Sequence, residues 1–324
     1  MHFGSLPYKT KQFFFVLIKL SIVVGAFYFI YQKLLDNENL DFRTFIEFLS
    51  KNDVLSLKNV GFLLILTFLN WFFEIVKWKT LVGSFKRIAF KNALEQSLGA
   101  LTASLFTPNR VGEYGAKAIY YPSKNRKQIL LLNLLSNIMQ MSVTVLFGIV
   151  GLYFFKTQYE LDINYYKVSQ FLIIILVVSA FAILGLKQTK FKLKGFLIET
   201  IKAFFKHLPR KIHVLGFLFS LIRYLIFSFQ FYYLLRIFGV DVYYGNAMIV
   251  ITTMYLLASI IPSIFIFDVV VKGSVAVYLF SMVDVNEFTI LSIVMLMWLL
   301  NFVLPSIFGS YHVLNFNLSK NNTK

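Results

Sequence analysis

Apolar runs too long for a water-soluble core recur along this chain, and that repetition decides most of what it can become. Eight apolar units lie near residues 13–35, 57–82, 93–121, 129–155, 168–186, 213–238, 244–281 and 288–314. A helix needs about 20 apolar residues to cross the hydrocarbon of a bilayer, where every backbone polar group must be bonded within the protein. Six of the units meet that requirement without interruption. Composition agrees: of 324 residues, 58% are hydrophobic, 15% are charged and 38 are Phe, whereas about a quarter of a soluble domain is charged. The expected fold is an all-α polytopic membrane protein with one transmembrane domain over 1–324. The first unit is expected to stay in the chain rather than be cleaved, because it is long, contains Lys19 and is followed by no small-residue cleavage site.

The two remaining units are broken. Residues 93–107 form a short apolar run that ends at Thr107-Pro108-Asn109-Arg110-Val111-Gly112-Glu113. The unit 244–281 is too long for one span, is interrupted at Pro262, and contains Asp268 and Lys272. Irregular backbone at membrane depth persists only where protein or a wet cavity satisfies it. Both units therefore read as re-entrant or broken helices, giving six full spans plus two broken units. Pro108, Gly112, Gly115 and Pro262 are the residues expected to permit the breaks.

Loop charge orients this arrangement. Lys77, Lys79, Lys86, Arg87 and Lys91 follow the second unit, and Arg110, Lys117, Lys124, Arg126 and Lys127 follow Pro108. Residues 187–212 hold eight basic side chains against Glu199, while 36–58 are net acidic and 281–288 carry Asp284 and Glu287. The positive-inside rule then puts the basic loops and both termini in the cytoplasm. The net charge of +17 is thereby explained by loop bias and anionic headgroups, without nucleic acid. Within 187–212, Leu197, Ile201, Phe204, Leu208 and Ile212 recur at helical spacing with Lys194, Lys202 and Lys206 off the stripe, the pattern of an amphipathic connector lying on a cytoplasmic surface.

A gapless alignment of 103–120 with 258–275 sets Ala103-Ser104 on Ala258-Ser259, Leu105 on Ile260, Glu113 on Asp268 and Lys117 on Lys272. In each unit an acid precedes a lysine by one helical turn, on one face. This suggests an inverted repeat with halves 57–155 and 213–314, the architecture that sets transporter sites near mid-membrane.

Ionisable groups within the apolar units need partners or water, since a charge at a helix centre costs about 2.5–3.5 kcal/mol on insertion scales. They are Glu74, Arg110, Glu113, Lys117, Arg223, Asp268 and Lys272, four cations against three anions. Two accounts fit. The acid–lysine pairs either hold cations that meet an anionic ligand, or simply make broken helices tolerable; Glu74 either lines a site or pairs with Lys77, and Arg223 either lines it or snorkels. Asn133, Asn137 and Gln140 share a face and serve either helix packing or the site. No metal is expected, because Cys is absent and the four His form no H-x-x-x-H pair. No catalytic signature of the G-x-S-x-G, Walker, H-E-x-x-H or G-x-G-x-x-G type occurs, so no enzyme and no cofactor is expected.

The run Thr107-Pro108-Asn109-Arg110-Val111-Gly112-Glu113-Tyr114-Gly115-Ala116-Lys117, together with Glu74-Ile75-Val76-Lys77-Trp78-Lys79, resembles the lysylphosphatidylglycerol synthase transmembrane-region family. That family forms the flippase-like half of aminoacyl-phosphatidylglycerol synthases, and many of its members stand alone in bacteria. Pro108, Arg110, Gly112, Glu113 and Lys117 match its motif; its second, glycine-rich motif survives only as Pro262 to Asp268, and an acidic-basic pair is here Asn133-Leu134. The resemblance implies movement of a lipid or lipid-linked headgroup between leaflets of the bacterial cytoplasmic membrane. The expected function is a flippase or transporter for an anionic or aminoacylated lipid, with Arg110, Lys117, Lys272 and Arg223 toward the headgroup and Glu113 and Asp268 holding them or engaging an amine. The alternative is a non-catalytic accessory subunit for a separate lipid-modifying or glycosyl-transferring enzyme.

Overall fold

The computed structural model describes residues 54–105, 111–159, 196–260 and 265–316, with residues 24, 47, 49–51, 107 and 192–193; for 192–193, 196–198, 200 and 265–271 the backbone alone is described. These residues are helical apart from short connections and a two-residue antiparallel ladder pairing Lys192 with Leu197. In chain order the helices are α1 (Leu57–Gly83), α2 (Phe90–Ser104), α3 (Val111–Ala118), α4 (Arg126–Gln158), α5 (Ile198–His207), α6 (Arg210–Ile237), α7 (Tyr244–Ile260), α8 (Phe265–Ser281), α9 (Glu287–Trp298) and α10 (Leu304–Asn315).

Among the described residues, four helical rods are long and apolar enough to cross a membrane: α1, α4 with the short turn before it, α6, and the continuous rod Glu287–Asn315. They coincide with the expected spans at 57–82, 129–155, 213–238 and 288–314. The spans expected at 13–35 and 168–186 lie outside the described residues. The fold is thus the all-α, polytopic membrane architecture that the hydropathy demands. Local signals set its boundaries. The Ser56 hydroxyl accepts from the Asn59 amide at α1, satisfying one of the donors a helix start leaves open. At the end of α6, Gly239 takes φ +75°, and Gly239 N–H bonds Arg236 O while Val240 N–H bonds Leu235 O. That double closure needs a left-handed residue, which glycine adopts without steric cost.

α1 and α6 run antiparallel: Tyr233 donates to Asn59, Gln230 to Leu63 O, and Arg223 to Asn70. The basic loops after α1 and before α4, with α5, therefore gather at one end of the bundle. On α5, Lys202 and Lys206 are exposed, while Phe204, Phe205 and Leu208 pack against a core that includes Trp78, Val82 and Ile129.

The first broken unit is a helical hairpin. Near its open end Tyr120 donates to Glu95 O and Tyr121 to Gln96; near its tip Gly112 abuts Ala103 O. Both arms consequently leave at the basic end. α3 sets Lys117 beside Asn133 and Tyr114 beside Asn137 of α4, so the hairpin tip lies close to Gln140, halfway along α4. The second broken unit enters from the other end. Gly151 of α4 abuts Thr252 and Gly148 abuts Leu256, so α7 finishes near Val143, again halfway. The break between α7 and α8 falls at residues 261–264, outside the described residues. Gly148 and Gly151 are needed there because any Cβ would occupy the space of α7 side chains.

Candidate functional site

Three helices bring a charged cluster to the depth where both hairpins end. Glu74 of α1 accepts from Lys77, one turn on, at 2.9 Å, and from Arg223 of α6. Arg223 Nε also donates to Asn70 O and Asn70 Oδ1, each at 3.2 Å, and its Nη1 to Gln140 Oε1 of α4 at 3.0 Å. Its Nη2 has no hydrogen-bond partner among the described residues. Lys77 is sealed at 1% side-chain exposure, but Arg223 keeps 18% and Glu74 12%. Two cations against one anion leave this cluster at +1, with the excess on the more accessible of the two. A guanidinium so placed presents a planar donor edge to a carboxylate or phosphate.

The hairpin supplies a second buried pair. Lys117 Nζ bonds Glu113 Oε1 at 2.7 Å and Asn133 Oδ1 at 2.9 Å, and stands 4.1 Å from the centroid of the Trp78 ring. Trp78 Nε1 donates in turn to Gln96 Oε1 at 2.8 Å, fixing the ring beneath the ammonium. The amide face of α4 read from the sequence serves both charged groups: Asn133 meets Lys117, Asn137 meets Tyr114, and Gln140 meets Arg223.

A neutral relay continues from the cluster. Asn70 Nδ2 donates to Asn301 Oδ1, and Asn301 Nδ2 to Gln230 Oε1, each at 2.9 Å. Asn301 lies in the π-helical turn Leu299–Val303 that joins α9 to α10. Pro305, four residues on, has no N–H to offer the Asn301 carbonyl, and Trp71 Nε1 takes that acceptor at 3.0 Å. The π turn is thus the local accommodation of a proline within a span.

The candidate residues fall out as follows. Glu113, Lys117 and Arg223 stand at the positions just described. Gly112 lies inside α3 rather than in the break; a Cβ there would come within 2.8 Å of Ala103 O and of Thr107 Cγ2, so its role is close approach of the hairpin arms. Gly115 is also within α3 and faces open space. Lys272 lines a small aromatic cavity of about 30 Å³ with Phe227, Phe231 and Tyr255, its Nζ 5.6 Å from the Phe302 ring centroid. Pro108, Arg110 and Pro262, and the Asp268 side chain, lie outside the described residues. Two readings change. Lys77 belongs to α1 and is buried against Glu74 rather than being a loop cation, and Arg223 is held by three helices' worth of acceptors rather than snorkelling to an interface. Asn70, Trp78, Gln96 and Asn301 join the network through partners up to 231 positions away, which no periodicity reveals.

The family model for the lysylphosphatidylglycerol synthase TM region matches residues 16–309. No curated protein and no solved structure matches the chain.

Proposed function

The chain belongs to the lysylphosphatidylglycerol synthase TM-region family, and from that premise we propose that it moves an anionic or aminoacylated lipid, or a lipid-linked headgroup, between leaflets of the cytoplasmic membrane. The observation that supports this most is the partly accessible Arg223, left with excess positive charge at the depth where two hairpins entering from opposite ends both stop. A lipid phosphate crossing the bilayer meets its highest barrier at that depth. There a fixed guanidinium replaces the water that the headgroup loses.

In this reading Arg223 and Arg110 contact the phosphate from the first half, and Lys272 from the second. The Glu113–Lys117 pair fixes the hairpin tip and offers its carboxylate to a headgroup amine. An inverted repeat of 57–155 and 213–314 accounts for the opposed hairpins and for access from either side in turn. The basic end faces the cytoplasm, as its charge requires. The chain itself performs no covalent chemistry.

The test is leaflet-resolved translocation by the purified protein in liposomes, across phosphatidylglycerol, its lysyl ester and zwitterionic lipids. Faster movement of one headgroup class than in protein-free liposomes supports the proposal. Well-folded protein that moves none of them, yet co-purifies with a lipid-modifying or glycosyl-transferring enzyme, supports the accessory-subunit reading instead.

A further inference from the structure

A second polar site opens at the basic end, well away from Arg223. It is a cleft of about 620 Å³ between the loop that follows α1, the open end of the first hairpin and the last turn of α10. Lys86, Arg87 and Lys91 line it against the single carboxylate of Glu95, a local surplus of two positive charges. All three cations are exposed, and none makes an ion pair or hydrogen bond to a described residue. Tyr120 and Tyr121 form the opposite wall. Burial pushes the Tyr121 phenol up to about 12, and burial with the nearby Glu95 raises Tyr120 further, so both stay protonated donors at any physiological pH.

We propose that this cleft binds a phosphate-bearing anion of about headgroup size, presented either by a membrane lipid or by a soluble phosphate ester. Unpaired cations crowded in a concave wall raise the local concentration of anions, and the volume lies within the ordinary range for small-ligand sites. Ile88 and Phe316 add an apolar edge suited to the glycerol or acyl side of such a molecule. The inner wall is Gln96, whose Oε1 accepts from both Tyr121 and Trp78. Trp78 in turn carries Lys117 on its face. An occupant of the cleft is therefore two contacts from the hairpin's ion pair. The inference stands independently of whether the chain moves lipid.

The test uses the full chain in zwitterionic nanodiscs. One arm titrates glycerol phosphate by calorimetry; the other counts phosphatidylglycerol retained per protein by native mass spectrometry. Binding of either anion, weakened about tenfold or more by combined Lys86→Gln and Arg87→Gln, is the expected result, since losing charge-assisted bonds costs about a factor of ten each. Lys58→Gln, an exposed cation at the opposite end, should leave binding unchanged. The first arm alone assigns a soluble ester, the second alone a lipid. Binding of neither anion, equal weakening by Lys58→Gln, or undiminished binding in the folded double variant overturns the proposal. Translocation measured on the same samples separates the two claims: a cleft that binds in a chain that moves no lipid keeps this inference and removes the transport reading.

Discussion

Removing the carboxylate of Glu113 strands the Lys117 ammonium, which is 1% exposed. Leaving a buried charge without its counter-ion costs about 3–5 kcal/mol. The Asn133 carbonyl at 2.9 Å and the Trp78 face at 4.1 Å remain and together retain about 1–2 kcal/mol of that. Glu113→Gln should therefore destabilise the protein by about 2–3 kcal/mol, and Lys117→Met by a similar amount. The double variant Glu113→Leu with Lys117→Met removes both charges together, and replacing a buried pair by apolar groups is commonly near neutral. A coupling of about 2 kcal/mol or more is expected from the double-mutant cycle. Unfolding midpoints of the four proteins in a mixed-detergent titration measure it. Strict additivity of the two losses would refute the reasoning, because the pair would then not be the interaction that holds the tip of the hairpin. Translocation by the folded double variant separates packing from transport: its survival would make the pair a device for packing alone.

Other consequences follow from the same geometry. Gly112→Ala places a methyl 2.8 Å from Ala103 O and should lower stability by about 1–3 kcal/mol, whereas Gly115→Ala, in open space, should be neutral or stabilising by up to about 1 kcal/mol; melting curves of the two separate close approach from a helix break. Asn301→Leu leaves the Asn70 amide and the Gln230 carbonyl without their partners and should cost about 2–4 kcal/mol, read by the same unfolding titration. The chain contains no Cys, so single cysteines report topology cleanly. Lys124→Cys, at the base of the first hairpin, should react with an impermeant maleimide from one side of sealed vesicles only, and Tyr243→Cys, at the start of the second, from the opposite side only. Labelling of both from one side would contradict hairpins that enter from opposite ends.

Much of this architecture is legible in the chain because a bilayer leaves little choice. Long apolar runs become spans, and the proline-containing interruptions between 93 and 121 and between 244 and 281 become breaks, with helices on either side. The amide face of α4 is legible too, since 133, 137 and 140 share one side of any helix. What the chain conceals is tertiary. Lys77 reads as the first cation of a basic loop, yet α1 continues to Gly83 and turns it inward onto Glu74. The pairing of Asn70 with Asn301 joins residues on the second and last spans, and the pairing depends on a π turn set by Pro305, a feature that hydropathy does not carry. Gly112 shows the limit in miniature: its residue type is informative, but only the neighbouring arm of the hairpin shows that the constraint is space rather than backbone freedom.

The most direct test of the transport reading is translocation by Arg223→Gln, set beside Arg223→Lys and the wild-type chain in the same liposomes. Glu74 keeps Lys77 at 2.9 Å after either change, so the cluster retains a counter-ion and both variants should fold. The glutamine variant, retaining its unfolding midpoint within about 1–2 kcal/mol, is expected to lose lipid movement by at least tenfold, with partial activity for the lysine variant, which keeps the charge but not the planar edge. Wild-type rates from a folded glutamine variant would contradict that reading and move the path of the headgroup away from the point where the hairpins meet.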